Sequence, residues 1–288
     1  RALQRDLLEE FTSSPAADAL LLQPRHYRRL ARPHLPDPAV DPAGYIALAG
    51  SLPGWLVQRW SRQWDFDELL RLAAWFNSPA PIWLRVNPLT GDPETIVAQL
   101  AERKLTGHVD PDRLLIRLEG TTHVPSLPGF SDGRFTVQDA TAAAAAVLLD
   151  PRPGQLVLDL CAAPGTKSTH LAELMQDTGR VVAADSHPGR LERISPAARR
   201  LGLSIIEPTL VDVSGSDLPG GPFDAILVDV PCSNTGVLGK RPEARWRLDA
   251  DELARLANLQ LRLLESAAER LVPGGRLVYS TCSIEPEE

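Results

Sequence analysis

Two cysteines stand directly after apolar segments that are typical of buried β-strands. Cys232 follows proline in VDVPCS, and Cys282 follows threonine in YSTCS. A cysteine thiol can attack a substrate as thiolate, bind a metal ion, or fill space as a small buried side chain. Asp229 lies three residues before Cys232 and adds an acid to the first segment. These three side chains raise the question of which chemistry the chain performs.

The spacing of the cysteines argues against a metal site and against a redox pair. The third residue after Cys232 is Thr235, so neither Cys-x-x-Cys nor the Pro-Cys-x-x-Cys of zinc deaminases is present. The chain has three scattered cysteines, which cannot build a structural zinc site alone. We therefore expect no metal ion. The low cysteine content favours a reducing, cytoplasmic setting.

A loop of small residues, DLCAAPGTKST, follows the apolar segment QLVLDL. It fails the phosphate-loop pattern because Cys161 occupies the first glycine position and Thr166 precedes Lys167. It also fails the GxGxxG pattern, since Gly165 is its only glycine. What remains is a strand ending in Asp159, a turn that lets a ligand approach the backbone closely, and the start of a helix.

Acids near the ends of the next two strands fit an adenosine ligand. The segment RVVAAD ends in Asp185, a place where a carboxylate commonly accepts hydrogen bonds from ribose hydroxyls. Asp212 follows the next strand, near the expected position of an adenine amino group. With no pyrophosphate motif present, the pattern favours S-adenosylmethionine as the cofactor. The alternative is that these acids only cap strand ends and turns.

A thiol beside a methyl donor suggests methylation of a pyrimidine at carbon 5. That carbon is a poor nucleophile until a thiolate adds at carbon 6, after which it can attack the methylsulfonium. An acid must neutralise charge at the ring nitrogen, and a base must later remove the carbon 5 proton. These roles require a nucleophilic thiol, a second thiol and an acid, which are the residue types of Cys282, Cys232 and Asp229. The residues alone leave open which thiol attacks. Two buried structural cysteines remain the alternative.

The elements that would position these residues follow a regular order from residue 137 onward. Apolar strands alternate with amphipathic helices, which predicts an α/β fold with a doubly wound, mostly parallel, Rossmann-like sheet. In the strand order 3-2-1-4-5 the last two strands are neighbours, which would bring Cys232 and Cys282 to one pocket. A long helix at about 250–271 presents Leu253, Gln260 and Leu264 on one buried face, for which we expect no ligand role.

Two smaller parts precede this catalytic domain, which we place at residues 131–288. Residues 1–48 have the pattern of helices interrupted by the proline-rich stretch PHLPDPAVDP. Residues 49–130 mix helix and strand patterns in a small α/β module, in which Asp92 and Pro93 predict the start of a helix.

The charge distribution argues against a generally basic surface for binding nucleic acid. The formal net charge is −7, and the one dense basic stretch is PRHYRRLARPH. We interpret this stretch as a solvated helix face, and the alternative is a patch that contacts phosphates. Acidic proteins can still bind RNA through a local groove. The longest apolar runs are too short to span a membrane. We also expect the protein to be a monomer.

Several stretches resemble the Sun-type RNA (cytosine-5) methyltransferases. They include LDLCAAPGTKSTHLAEL, VVAADSHPGRL, DAILVDVPCSNTGVLGKRPEARWR and PGGRLVYSTCSIEPEE, and the resemblance covers roughly residues 50–288. It implies methylation of cytosine carbon 5 in RNA, with ribosomal RNA favoured, through a covalent cysteine adduct at carbon 6. The alternatives are a DNA cytosine-5 methyltransferase, in which Cys232 would attack, and a non-catalytic RNA-binding scaffold. STCS favours the RNA type.

The resemblance also implies roles for individual positions. Cys282 would be the nucleophile, Cys232 would assist release from the methylated base, and Lys167 would lie in the active site. The residues that would hold the cofactor are Cys161, Ala162, Ala163, Pro164, Gly165, Thr166, Lys167, Asp185, Asp212 and Asp229. The candidate RNA contacts are Arg85, Asn87, Gln138, Lys240, Arg241 and Arg245.

Three further expectations come from the same resemblance. The family tends to carry an N-terminal helical RNA-binding domain resembling the antitermination factor NusB, and residues 1–48 could be the end of one. The family continues beyond EPEE through a helix and a strand pair, so the chain is expected to be truncated at its C-terminal end. Val230 and Asn234 stand where alanine and glycine are frequent, which predicts a slightly different pocket shape.

Overall fold

The computed structural model describes residues 5–110 and 114–288, which belong to two compact units. The first unit combines Arg1–Ala80 with Asn234–Asp249, and the second combines Pro81–Ser233 with Ala250–Glu288. The boundary at residue 80 therefore falls inside the α/β module expected at 49–130. Within the described residues, no helix is both long and apolar enough to cross a membrane.

The first unit has a three-stranded antiparallel sheet followed by helices. The strands are β1 (Leu7–Thr12), β2 (Ala19–Gln23) and β3 (His26–Leu30), in the order β1-β3-β2. The helices are α1 (Pro42–Ala49), α2 (Gly54–Trp60) and α3 (Phe66–Phe76), and two short 3-10 helices follow at Thr235–Val237 and Pro242–Trp246.

The helical prediction for residues 1–48 was wrong for residues 7–30, which form the sheet. Gln23 pairs with His26, so Pro24 and Arg25 form a two-residue turn in which Arg25 adopts φ +59°. The run ADALLLQ is too short for its apolar pattern to distinguish a helix from a strand. The arginines that we placed on a helix face lie instead on a hairpin, where Arg29 pairs with Asp18 at 2.6 Å.

Arg245 lies within the core of the first unit, which corrects its assignment as an RNA contact. Its guanidinium is buried and donates to the carbonyl oxygens of Gly50, Ser51 and Phe76 and to Asn77 Oδ1 at 2.9–3.2 Å. These hydrogen bonds of Nη1 and Nη2 offset the cost of burying a guanidinium, and Nε alone has no partner among the described residues. Arg245 thus fixes residues 234–249 to the helices of the first unit.

The second unit begins with a four-stranded antiparallel sheet. Its strands are β4 (Ile82–Val86), β5 (Gly107–Asp110), β6 (Leu115–Leu118) and β7 (Phe135–Val137), in the order β5-β6-β4-β7. Helix α4 (Pro93–Glu102) packs on this sheet and starts as expected, with Asp92 accepting a hydrogen bond from the Thr95 amide at 2.7 Å.

The five-stranded parallel sheet confirms the predicted Rossmann-like architecture. Its strands are β8 (Leu156–Leu160), β9 (Arg180–Asp185), β10 (Ile206–Leu210), β11 (Phe223–Asp229) and β12 (Leu271–Ser280). They lie in the order β10-β9-β8-β11-β12, which is the expected 3-2-1-4-5. The helices of this part are α5 (Ala140–Leu149), α6 (Thr166–Leu174), α7 (Pro188–Leu191), α8 (Ile194–Arg200) and α9 (Ala250–Ala268).

Both faces of the parallel sheet are covered, as the continuous apolar strands predict. Successive residues of a strand face opposite sides, so Val157 and Leu158 of β8 enter two different hydrophobic clusters and are both fully buried. The helical segment that follows β9 is interrupted between α7 and α8. Pro196 explains this break because it has no amide hydrogen to donate to the carbonyl of Glu192.

Candidate active site

The two cysteines meet at the carboxyl edge of the parallel sheet. Asp229 and Ser280 are paired in register at the ends of β11 and β12, and the chain reaches Cys232 and Cys282 a few residues beyond them. The two sulfur atoms lie 3.1 Å apart and are partly buried. This arrangement requires β11 and β12 to be neighbours, as they are in the order 3-2-1-4-5, because only neighbouring parallel strands end side by side.

Asp229 forms an ion pair with Lys167 at this edge. Lys167 Nζ lies 2.6 Å from Asp229 Oδ2, and the Lys167 side chain is 14% exposed. Lys167 is the second residue of α6, so the loop after β8 brings its ammonium to the end of β11. The expected catalytic side chains Cys232, Asp229 and Lys167 thus lie at the ends of adjacent strands.

The loop after β8 is held in a tight turn by backbone contacts. Cys161 adopts φ +64°, and Gly165, at the N-cap of α6, adopts φ +96°. A Cβ at position 165 would lie 3.0 Å from Ile194 Cγ1, so glycine is required both by conformation and by space. Burial raises the pKa of the Cys161 thiol to about 12, so this third cysteine stays protonated at neutral pH.

Asp185 connects the end of β9 to this loop. Its carboxylate accepts hydrogen bonds from the backbone amides of Ala163 and His187, each at 2.9 Å. A carboxylate oxygen has two lone pairs, so both oxygens retain the capacity to accept a ligand hydroxyl.

Asp159 is an additional buried acid at the end of β8. Its Oδ2 accepts a hydrogen bond from Ser168 Oγ at 2.6 Å, whereas its Oδ1 has no partner among the described residues. Burial, reinforced by the charge of Asp229, raises the pKa of Asp159 to about 7, although Ser168 and Lys167 act in the opposite direction. Sequence reasoning missed Ser168, whose place in the first turn of α6 was the available signal.

Asp212 is more exposed than the other acids. It follows β10, and its Oδ1 accepts a hydrogen bond from the Ser214 amide at 2.8 Å and another from the Ser214 hydroxyl. These hydrogen bonds lower the pKa of Asp212, so the carboxylate is ionised at neutral pH.

These residues fit a cofactor that carries ribose hydroxyls and a positive charge. Asp185 offers acceptors at the end of the second strand, and the unpartnered Oδ1 of Asp159 offers a further buried acceptor. Gly165, with φ +96°, forms the turn at the start of α6, which is where open α/β sheets bind ligands. Within residues 5–110 and 114–288, no group of three or more His, Cys, Asp or Glu side chains could hold a metal ion.

Three of the expected RNA contacts are structural instead. Arg85, Asn87 and Gln138 are all at most 4% exposed. Asn87 donates to the carbonyl oxygens of Gly133 and Leu201 at 3.0 and 2.9 Å, which joins two loops of the second unit. Lys240 and Arg241 lie on the exposed surface, and their role as RNA contacts stays a prediction.

Arg85 joins the antiparallel sheet to the helix that carries Lys167. Its guanidinium makes a two-pronged ion pair with Glu173, with Nε–Oε2 and Nη2–Oε1 both at 2.8 Å, and also donates to the side chain of Gln138. It donates further to Thr166 O at 2.9 Å and to Thr169 Oγ1 at 3.0 Å. Arg85 therefore holds α6, and with it the loop after β8, in place.

Replacing Arg85 with methionine is expected to lower the free energy of unfolding by about 3–5 kcal/mol. Both side chains of the Arg85–Glu173 pair are 1% exposed, so the change leaves the Glu173 carboxylate buried without its counter-charge. Urea unfolding of the two proteins measures the difference. The double change Arg85→Met/Glu173→Met should recover part of the loss, and a loss below about 1 kcal/mol for the single change would contradict a buried ion pair.

Two family models match the sequence. The 16S rRNA methyltransferase RsmB/F model matches residues 146–288, and the ferredoxin-like domain model of RsmF/B-like methyltransferases matches residues 52–124. Ribosomal RNA small subunit methyltransferase B of Salmonella paratyphi B is 39% identical over 246 residues, which are 82% of this chain and 55% of that protein. The chain spans about half the length of the curated relatives it matches.

Solved structures show the same fold. A methyltransferase homolog protein from Pyrococcus horikoshii has a TM-score of 0.73 and 32% identity, over 84% of this chain and 77% of that one. NSun6 from Pyrococcus horikoshii, solved with SFG, has a TM-score of 0.73 at 20% identity, over 80% of this chain and 83% of that one.

Proposed function

Because the chain belongs to the RsmB/F family of methyltransferases, we propose that it methylates carbon 5 of a cytosine in ribosomal RNA. The observation that carries this proposal is the pair of sulfur atoms 3.1 Å apart, next to the Lys167–Asp229 ion pair. Covalent methylation of a pyrimidine needs a thiolate, an acid and a base around one ring, and these side chains supply them.

The proposed cofactor is S-adenosylmethionine, which supplies an electrophilic methyl group on a sulfonium. Asp185 would accept hydrogen bonds from the ribose hydroxyls, and Asp212 would lie near the adenine amino group. The loop Cys161–Lys167 would line the rest of the site. The support for these roles is the position of Asp185 and Gly165 at the carboxyl ends of the strands, where open α/β sheets bind ligands.

Cys282 is the proposed nucleophile, as in the family that the sequence resembles. Its thiolate forms a bond to carbon 6 of the cytosine, and the electron pair of the 5,6 double bond makes carbon 5 nucleophilic. Carbon 5 then forms its bond to the methyl group while the bond between that group and the sulfonium sulfur breaks. The target base must be out of its stack for this attack, which favours single-stranded or loop RNA.

Cys232 is proposed to complete the reaction from the neighbouring strand end. As a thiolate, it removes the proton from carbon 5, the double bond re-forms, and the bond between carbon 6 and Cys282 breaks to release the thiolate. The 3.1 Å separation of the two sulfur atoms supports a mechanism in which both thiols act on one ring, and the family resemblance assigns which thiol has which role.

Asp229 and Lys167 are proposed to act together on the ring nitrogen. Adding a thiolate at carbon 6 increases the negative charge on nitrogen 3, which must be met by a proton or a hydrogen-bond donor. A carboxylate has no proton to donate, but the Lys167 ammonium lies 2.6 Å from Asp229 Oδ2 and carries protons, so Lys167 can offer one while Asp229 holds it in place. The pair, rather than Asp229 alone, is therefore the proposed proton source.

Ribosomal RNA is the substrate that the family description favours, and we propose the cytoplasm as the place of the reaction. The test supplies S-adenosylmethionine with a labelled methyl group and an unmodified transcript of small-subunit ribosomal RNA, with DNA of the same sequence as the control. Mass spectrometry of the digested nucleosides should find the label in 5-methylcytidine and none in the DNA. Label in another nucleoside, label in the DNA alone, or no label in the RNA would overturn the proposal.

A further inference from the structure

Gln260 is a buried amide on the apolar face of α9, where the sequence predicted no role beyond packing. It is 3% exposed, and its side chain makes three hydrogen bonds. The three partners are Pro231, which precedes Cys232, Tyr279, which lies on the segment that carries Cys282, and Glu288. We propose that Gln260 is a positioning residue that sets the separation and orientation of the two thiols.

The contact with the first segment is at the peptide before Cys232. Gln260 Nε2 donates to the carbonyl oxygen of Pro231 at 2.9 Å and to Glu288 Oε1 at 2.8 Å. The same Glu288 carboxylate accepts from the backbone amide of Ser233 at 2.9 Å. The residues on both sides of Cys232 are therefore held by one small network, in a stretch that belongs to neither a strand nor a helix.

The contact with the second segment is through Tyr279, three residues before Cys282. The Tyr279 hydroxyl lies 3.0 Å from Gln260 Oε1 and 2.8 Å from the Glu288 carbonyl oxygen. Burial, with Glu288 and Cys232 nearby, raises the pKa of Tyr279 to about 12, so the hydroxyl keeps its proton and donates at neutral pH. A glutamine suits this place because it donates to one segment and accepts from the other.

Removing the amide is expected to release the loop that carries Cys232. The Pro231 carbonyl and the Tyr279 hydroxyl would each lose a partner in a part-buried place, which favours local rearrangement. A displacement of about 1 Å is enough to change the rate of a reaction between two positioned groups by roughly 10²-fold. The two thiols can report such a displacement without RNA or cofactor.

The test measures how readily Cys232 and Cys282 form a disulfide with glutathione disulfide. One thiolate attacks glutathione disulfide and releases one glutathione, and the second then attacks the mixed disulfide and releases another. The equilibrium constant, expressed as an effective concentration, reports how well the two sulfur atoms are placed. Peptide mapping identifies the bonded pair, and Cys161, whose pKa is raised to about 12 by burial, should not react.

The variant Gln260→Met has nearly the same size but lacks both polar groups, and it should lower the effective concentration by about tenfold or more. Tyr279→Phe removes the hydroxyl that contacts Gln260 Oε1 and the Glu288 carbonyl, and the loss of its hydrogen bond to Gln260 should lower the effective concentration about fivefold. This variant also tests the proposal if Gln260→Met does not fold. Asn258→Leu, which also removes an amide from α9 but at an exposed site, is the matched control and should leave the value unchanged.

A merely structural role for Gln260 would lower the melting temperature and leave the effective concentration of the folded protein unchanged. That result, for both Gln260→Met and Tyr279→Phe, would overturn the inference. The catalytic consequence, a lower kcat with an unchanged KM for S-adenosylmethionine, rests on the proposed function. If the wild-type protein makes no 5-methylcytidine while Gln260→Met still loses effective concentration, the proposed function fails and the positioning role stands.

Discussion

Replacing Cys282 with alanine is expected to lower the rate of methyl transfer to RNA by roughly 10⁴-fold or more. The covalent route divides one difficult substitution into two easier steps, and without the attacking thiolate carbon 5 stays a poor nucleophile. The measurement is a single-turnover assay with labelled S-adenosylmethionine. Cys282→Ser keeps the size of the side chain and should show nearly the same loss, because a hydroxyl at its ordinary pKa is a much weaker nucleophile.

Two controls separate a chemical loss from a structural one. The melting temperature of each variant should stay close to that of the wild-type protein, since Cys282 is only partly buried. The affinity for S-adenosylmethionine, measured by calorimetry, should also be unchanged, because the proposed cofactor residues lie on the loop after β8 and near the ends of β9, β10 and β11. If Cys282→Ala transfers methyl groups at an undiminished rate, Cys282 is not the nucleophile.

Replacing Cys232 with alanine is expected to stop turnover after the first round and to trap the enzyme on its RNA. Methyl transfer to carbon 5 can still occur, but the proton at that carbon has no nearby base, so the bond from carbon 6 to Cys282 persists. A denaturing gel should show a slow band that contains both the protein and the methyl label. In the wild-type protein this band should be faint, since release follows transfer.

The double variant Cys232→Ala/Cys282→Ala is the matched control for the trapped band. It should give no covalent complex, because the band requires Cys282. If Cys282→Ala traps the RNA and Cys232→Ala does not, the roles are reversed, which is the outcome expected of the DNA-type mechanism.

The parallel sheet was predictable from the sequence, and the meeting of the two cysteines followed once the strand order 3-2-1-4-5 was assumed. Continuous apolar segments such as FDAILVDV indicate buried parallel strands, and the order 3-2-1-4-5 then places Cys232 beside Cys282. Geometry does not decide which thiol attacks, since the two sulfur atoms lie only 3.1 Å apart at the same edge. That assignment came from the family resemblance and still needs the variants described above.

Partners that are distant in the chain explain most of what the sequence did not predict. Arg85 resembled an RNA contact because its counter-charge, Glu173, lies 88 residues further on. Gln260 resembled one more residue of a helix face because Pro231 and Tyr279 approach it only in the folded sheet. A lone amide in an otherwise apolar stripe was the available signal, since buried amides need hydrogen-bond partners.

The wrong helix prediction for residues 7–30 has a different cause. Residues 19–30 contain leucines and arginines that are good helix formers, yet they form a hairpin, in which Tyr27 and Leu30 are buried. Tertiary burial outweighed local propensity there. Pro24 was the available signal for a turn between two strands.

The most direct test of the proposed function uses RNA in which cytosine is replaced by 5-fluorocytosine. Fluorine cannot leave carbon 5 as a cation, so the adduct formed after methyl transfer cannot resolve. Incubation of the wild-type protein with this RNA and S-adenosylmethionine, followed by protease digestion and tandem mass spectrometry, locates the bond. We predict a methylated nucleotide attached to the peptide that contains Cys282. Attachment to Cys232, or the absence of any adduct under conditions in which the cofactor binds, would contradict the account.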